Sequence, residues 1–318
     1  MDRRERFRGC LLGLAVGDAV GTTVEFRPRG TFEPLRDMIG GGPFNLLPGQ
    51  WTDDTSMALC LATSLIERNG FDARDQMEGY CRWAAQGYLS STGACFDIGN
   101  TVASALRRFR RTGEPFAGST DPLSAGNGCI MRLAPIPMFF FPDLEAAERY
   151  GAESSRTTHG ATECVDACRL LARIICRALH GRPKDEVALG DSGPFAGEER
   201  IVAIARGDYR AKSAENIRGS GYVVEGLEAA MWCFTRAESF EEAILMAANL
   251  GDDADTTAAI CGQVAGAYYG ESGIPAGWLG RVAMRSEITR LADLLYGRQG
   301  KEGAAQLKQR RRQCNYEH

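Results

Sequence analysis

Glycine recurs at every fourth position near the N-terminus, at Gly9, Gly13, Gly17 and Gly21, and that spacing admits few folds. The surrounding residues, Arg3 to Val20, carry a helical pattern, and positions four apart share one helix face. Each glycine inside a helix costs roughly 1 kcal/mol relative to alanine. Four on one stripe therefore predict a helix pressed closely against a neighbour. A membrane dimer motif is the rival reading, and it fails because no segment reads as long and apolar enough to cross a bilayer. A second face of small residues recurs at Ala258, Gly262 and Gly266. Period-2 alternation of apolar residues is almost absent. The expected architecture is all-α: a compact single domain of a dozen or so helices.

Composition narrows the function classes. A chain of 318 residues with 44% hydrophobic content supports a sizeable core. A formal net charge of −4 provides no general basic field, so nucleic-acid binding is not expected. The acidic residues among Met1 to Arg6, so close to the apolar run Cys10 to Val16, argue against a signal peptide. A cytoplasmic monomer without a membrane partner is expected. The 11 cysteines are odd in number and include no CxxC pair, which predicts reduced, mostly buried thiols. With only 3 histidines, any metal must be held mainly by oxygen, as suits magnesium, manganese or calcium.

Two short stretches carry the chemistry. Asp252, Asp253 and Asp255 stand with Thr256 and Thr257 just ahead of the Ala258 stripe. Upstream, Ser239 and Glu242 have capping-box spacing and open a helix of their own. One helix cap needs one aspartate, not three. The pattern repeats earlier, where Thr52, Asp53, Asp54 and Thr55 precede another apolar helix. Two helix N-termini with surplus acid are best explained if they face each other across bound cations.

Other positions are individually weak. Glu25 sits where the first helix gives way to a Pro/Gly-rich loop, the usual setting of a solvated glutamate. Asp97, between Phe96 and Ile98, is either the cap of the next helix or a carboxylate in an apolar setting. Gly126, Asn127 and Gly128 match neither the P-loop nor the dinucleotide fingerprint. Small residues there could still turn backbone N–H groups toward a phosphate. His159 opens the helix through Leu179, where a backbone hydrogen bond is its ordinary role. Tyr222 opens another helix. Between residues 181 and 221 only one short helical piece is expected. Residues 286–296 read as a closing helix of the 1–296 domain, and 297–318 as a polar, basic, frayed tail.

Taken in order, Gly13 to Ala19, Glu25, Trp51 to Asp54, Gly126 to Gly128 with Met131 and Arg132, Thr158-His159 and Gly251 to Thr256 resemble the ADP-ribosylglycohydrolase family. The likeness spans roughly residues 6–296 and is greatest to bacterial members of the ADP-ribosyl-[dinitrogen reductase] hydrolase kind. It implies an all-α catalytic domain, two magnesium or manganese ions, and an ADP-ribosylated protein as substrate. By position it implies Thr52, Asp53, Asp54, Asp253, Asp255 and Thr256 as metal ligands. Glu25, Asp97 and Asp253 become the catalytic carboxylates, with Asp97 beside the scissile linkage of arginine-specific members. Gly126, Asn127, Gly128 and His159 become ADP-ribose contacts, and Tyr222 the aromatic residue near the adenosine. Many relatives read Gly-Gly-Asp-Thr-Asp-Thr where this chain has Gly251-Asp252-Asp253-Ala254-Asp255-Thr256, so Asp252 is left outside the metal shell. The implied reaction is hydrolysis of an N-glycosidic ADP-ribosyl-arginine bond, with metal-activated water and Glu25 or Asp97 moving the proton. An O-glycosidic serine linkage and a catalytically silent ADP-ribose binder are the alternatives. A generic metal phosphohydrolase ranks below them for want of histidines.

Overall fold

In a computed structural model, which describes residues 1–190 and 194–298, the glycine-striped segment is helix α1 (Arg3–Gly21). There follow α2 (Asp53–Arg68), α3 (Ala73–Gln86), α4 (Asn100–Thr112), α5 (Pro135–Phe140), α6 (Leu144–Arg156) and α7 (Thr162–Leu179). The second half holds α8 (Lys184–Leu189), α9 (Glu199–Arg206), α10 (Val223–Arg236), α11 (Phe240–Ala248), α12 (Ala254–Tyr269), α13 (Ala276–Arg281) and α14 (285–298). Among the described residues there is no strand, only isolated β-bridges. The all-α expectation holds.

The two small-residue stripes are each other's partners. A β-carbon on Gly13 would run into the Gly262 carbonyl, and one on Gly266 into that of Gly9. Gly17 meets Ala258, and Gly21 meets Ala254 and Asp255. α1 and α12 are therefore antiparallel, and the C-terminal end of α1 lies beside the N-terminal end of α12. Contrary to the sequence reading, the helical stretch Arg3–Val24 has the length and composition of a membrane span, yet 89% of its apolar window is buried inside the protein. It is the axis of the core, surrounded by Leu171, Ile175, Phe234, Phe240 and Ile260.

A second apolar cluster lies under α2, α3 and α4, built on Met57, Tyr80, Trp83, Val102, Leu106 and Phe109. Fully buried Arg132 joins it to the loops above. Its guanidinium stacks 4.7 Å from the Tyr80 ring centroid and donates to the Gly128 carbonyl at 2.7 Å and to Thr158 Oγ1 at 2.6 Å.

Two local readings need correction. The span 181–221 contains two short α-helices, α8 and α9, rather than one. Each buries only a pair of apolar residues, Val187 with Ala188 and Ile201 with Ile204, too few to register as periodicity. Helical backbone also continues to residue 298, past the expected end of the closing helix, while 299–318 lie outside the described residues. The Ser239 cap forms as expected and accepts from the Glu242 N–H at 3.1 Å, but Glu242 returns its bond to the Glu238 N–H rather than to Ser239. The 10 described cysteines are free thiols, and most are buried.

Candidate metal centre and substrate cleft

Thr52 is the N-cap of α2 and Asp253 that of α12, and neither makes a side-chain capping bond. The capping explanation of the acidic clusters therefore fails. The group that caps α2 comes from α1. Asp18 Oδ1 accepts from Thr52 N at 2.8 Å and Thr52 Oγ1 at 2.9 Å, and its Oδ2 accepts from Thr55 N at 3.0 Å and Thr55 Oγ1 at 2.6 Å. With the helix terminus satisfied from outside, Asp53 and Asp54 are released for another role. Sequence reasoning missed Asp18. The available signal was a lone carboxylate inside an otherwise apolar, glycine-striped helix.

The acidic turn is fixed from two sides. Gly251 and Asp252 both adopt left-handed backbone, at φ 72° and 54°. Phe26 N–H donates to the Asp252 carbonyl at 2.7 Å, and Asp252 N–H donates back to the Arg27 carbonyl at 2.9 Å. Asp253 N–H donates to the Gly219 carbonyl at 2.8 Å. The turn is thus clamped to the loop that carries Glu25, which is only 3% exposed instead of being solvated. Asp97 does not cap α4 either, because Gly99 is that N-cap and Asp97 itself is left-handed at φ 58°.

These placements form two overlapping carboxylate clusters. One joins Asp18, Asp54 and Asp255, the other Glu25, Asp97 and Asp255, and within each the ligand atoms lie within 4.8 Å of one another. Thr52 Oγ1 stands 3.1 Å from Asp54 Oδ2 and 3.2 Å from Asp255 Oδ2, and Thr256 Oγ1 is 3.5 Å from Asp54 Oδ2. Asp54 Oδ1 and Asp255 Oδ1 are buried with no hydrogen-bond partner among the described residues. Orphaned buried carboxylate oxygens are rare. An oxygen-only set of this kind fits a hard divalent cation.

The electrostatics agree. Burial, reinforced by Asp97, Asp253 and Asp18, pushes the Glu25 carboxyl up to about 9. Burial, then Asp18 and Asp253, pushes Asp97 up to about 7. Asp53, Asp54 and Asp255 are driven well up, by burial first and neighbouring carboxylates second. A bound cation would take the place of those protons. Because the folded values of Glu25 and Asp97 lie above their ordinary 4.5 and 3.8, protonation stabilises the metal-free fold. That contribution is complete below about pH 4 and fades as pH climbs through about 7 and then about 9. Metal-free protein should therefore lose thermal stability from pH 5 to pH 9, and saturating magnesium should flatten the slope. Calorimetry across this range decides it; a metal-free Tm that rises with pH would refute the reading.

Above the clusters opens a cavity of about 640 Å³, lined by Glu25, Asp53, Asp97, Asp253, Asp255 and Thr256 on the acidic side and by Gly126, Asn127, Gly128 and His159 opposite. Thr52 and Asp54 lie behind this lining. Asn127 Nδ2 donates to Asp253 Oδ2 at 2.6 Å and so ties the glycine loop to the acidic turn. His159 Nδ1 is 2.8 Å from the Thr158 hydroxyl, which already accepts from Arg132. Among the described residues Nδ1 is the acceptor for the Thr158 hydroxyl proton, and with that bond made the imidazole proton lies on Nε2, on the side of Gly126 and Gly128. Burial lowers the His159 value to about 4, so the ring is neutral.

Tyr222 is not in this cavity. It lines an adjoining lobe of about 770 Å³ that shares Thr101, Gly126 and Gly221 with the first. There its hydroxyl donates to Glu163 Oε2 at 2.6 Å and accepts from Arg200 Nη1 at 2.9 Å. The two lobes make one elongated cleft, acidic at one end and aromatic at the other. Asp252, like Asp53 and Asp253, lines the acidic lobe but joins neither carboxylate cluster.

The chain is similar to known proteins in both sequence and fold. The sequence profile of the ADP-ribosylglycohydrolase family matches residues 1–305. The protein named ADP-ribosylarginine hydrolase Tri1 from Pseudomonas putida (strain GB-1) is 47% identical over 297 residues, covering 92% of this chain and 78% of its own. ADP-ribosyl-[dinitrogen reductase] glycohydrolase of Rhodospirillum rubrum is 33% identical over 299 residues, covering 92% of this chain and 95% of its own. A solved structure described as an ADP-ribosylglycohydrolase-related protein complex aligns with a TM-score of 0.81 at 43% identity, over 93% of this chain and 98% of that one.

Proposed function

The chain belongs to the ADP-ribosylglycohydrolase family, and from that premise we propose that it is a metal-dependent hydrolase that frees arginine side chains of proteins from ADP-ribose. The observation that carries the reading is Asp255, common to two carboxylate clusters at the floor of a cleft that also holds Asp97. The name of the Pseudomonas relative supports arginine as the modified residue.

Two divalent ions, magnesium or manganese, would be held by Thr52, Asp53, Asp54, Asp253, Asp255 and Thr256. Such ions, when bound, fix ribose hydroxyls and make water more acidic. Asp18 has four hydrogen bonds on its two oxygens, so it orients Thr52 and the start of α2. The Gly126 and Asn127 N–H groups already donate to the Ser124 and Gly221 carbonyls, so the Gly128 N–H and His159 Nε2–H are the loop donors that suit the diphosphate. The Tyr222 lobe suits the adenosine. In the reaction the bond between the anomeric carbon and the guanidinium nitrogen breaks, water adds to that carbon, and the arginine leaves with the proton it needs. Buried Glu25 and half-buried Asp97, which share a carboxylate cluster with Asp255, are the carboxyls that would move the proton.

An ADP-ribosylated arginine peptide incubated with enzyme and magnesium or manganese should yield free ADP-ribose, and a chelator should stop release. Asp97→Ala should lower kcat on this peptide by about 100-fold or more, the usual contribution of a positioned acid–base group. No release from the arginine peptide with either metal would overturn the proposal. Release from an ADP-ribosyl-serine peptide instead would move the assignment to that linkage.

A further inference from the structure

We propose that Phe26, backed by Phe44 and Phe96, is the aromatic face on which the guanidinium of the modified arginine stacks, and that it sets the linkage specificity of the site. This rests on the arginine reading above and adds a residue to it. Phe26 follows Glu25 in the chain, lines the acidic lobe, and is 65% exposed, far more than a large aromatic side chain gains anything from. Its backbone is left-handed at φ 62°, a conformation that bulky residues rarely adopt. The conformation is held by the reciprocal bonds between Phe26, Arg27 and Asp252. A strained, exposed aromatic residue fixed to the acidic turn is a candidate for function rather than for folding.

The rings extend away from Phe26 in a row. Phe26 meets Phe44 edge-on, with centroids 6.4 Å apart, and Phe44 lies 5.2 Å from Phe96, the residue before Asp97. The row therefore links the residue after Glu25 to the residue before Asp97, with Phe26 on the cavity wall and Phe44 and Phe96 behind it. A planar cation would find carboxylates at its edge and an aromatic ring on its face, the combination that suits arginine. A serine linkage offers neither a charge nor a plane to that surface.

The test measures kcat and KM for ADP-ribosylated arginine and serine peptides with Phe26→Ala, Phe26→Gly and Phe26→Trp, alongside binding of free ADP-ribose. Phe26→Ala and Phe26→Gly should raise KM for the arginine peptide by about 5- to 30-fold, the range a desolvated cation–π contact accounts for. kcat and ADP-ribose affinity should stay close to those of the parent. Phe26→Trp should restore the arginine KM. Glycine relieves the left-handed strain, so Phe26→Gly with unchanged KM would show that only the backbone matters and would overturn the inference. Loss of ADP-ribose affinity in Phe26→Ala would overturn it as well, because the residue would then support the whole cleft. A parent inactive on the arginine peptide defeats the underlying reading, whereas an active parent with unaltered variants defeats this inference alone.

Discussion

Asp255→Asn should leave a folded protein that is inactive, no longer stabilised by divalent metal, and more heat-stable than the parent when metal is absent. Asp255 belongs to both carboxylate clusters, is 1% exposed, and keeps one oxygen without a partner. In the metal-free protein its charge is opposed by burial and by Glu25, Asp54 and Asp253. Asparagine preserves the shape and removes that charge, which should stabilise the metal-free fold by about 1 kcal/mol near pH 8. The same change removes the carboxylate common to both clusters, so kcat/KM should fall by roughly 1000-fold or more. Thermal shifts with and without magnesium, beside turnover of the arginine peptide, give the two readouts. Their opposite signs separate a lost metal ligand from ordinary structural damage, which would lower both. A variant stabilised by magnesium as strongly as the parent would remove Asp255 from the metal shell.

The acidic ends of α2 and α12 could be read from the sequence because surplus charge at a helix N-terminus is a local anomaly. The residues that make those ends work could not, since each depends on a contact between distant parts of the chain. Asp18 caps a helix that is not its own. Glu25 resembles a surface residue until the Phe26–Asp252 bonds bring the acidic turn over it. Both glycine stripes announced that they needed a close neighbour, but only the fold shows that they satisfy each other. Tyr222 reads as the start of a helix in sequence and proves to line a separate lobe. The left-handed Phe26 has no local signature at all, because glycine or asparagine is the ordinary occupant of that conformation.

Gly262→Ala should be among the most damaging single-methyl additions in the chain. The added carbon would run into the Gly13 carbonyl, and both backbones belong to long helices that cannot give way locally. Overpacking of this kind costs about 3 kcal/mol when no flexible side chain can move aside. Gly280→Ala in α13 is the control: a β-carbon there has no atom within 4 Å, and helix propensity alone should make it neutral or stabilising by up to about 1 kcal/mol. The larger consequence is at the site. Because α1 and α12 are antiparallel, the glycine register sets how far Asp18 at one helix end lies from Asp255 at the other. Forcing the helices apart should therefore weaken metal binding by about 10-fold in whatever fraction remains folded, as loss of an orienting contact does. Urea unfolding and a magnesium titration of thermal stability measure the two effects. If Gly262→Ala matched the parent in both, the packed glycine register would not be what holds the acidic clusters together.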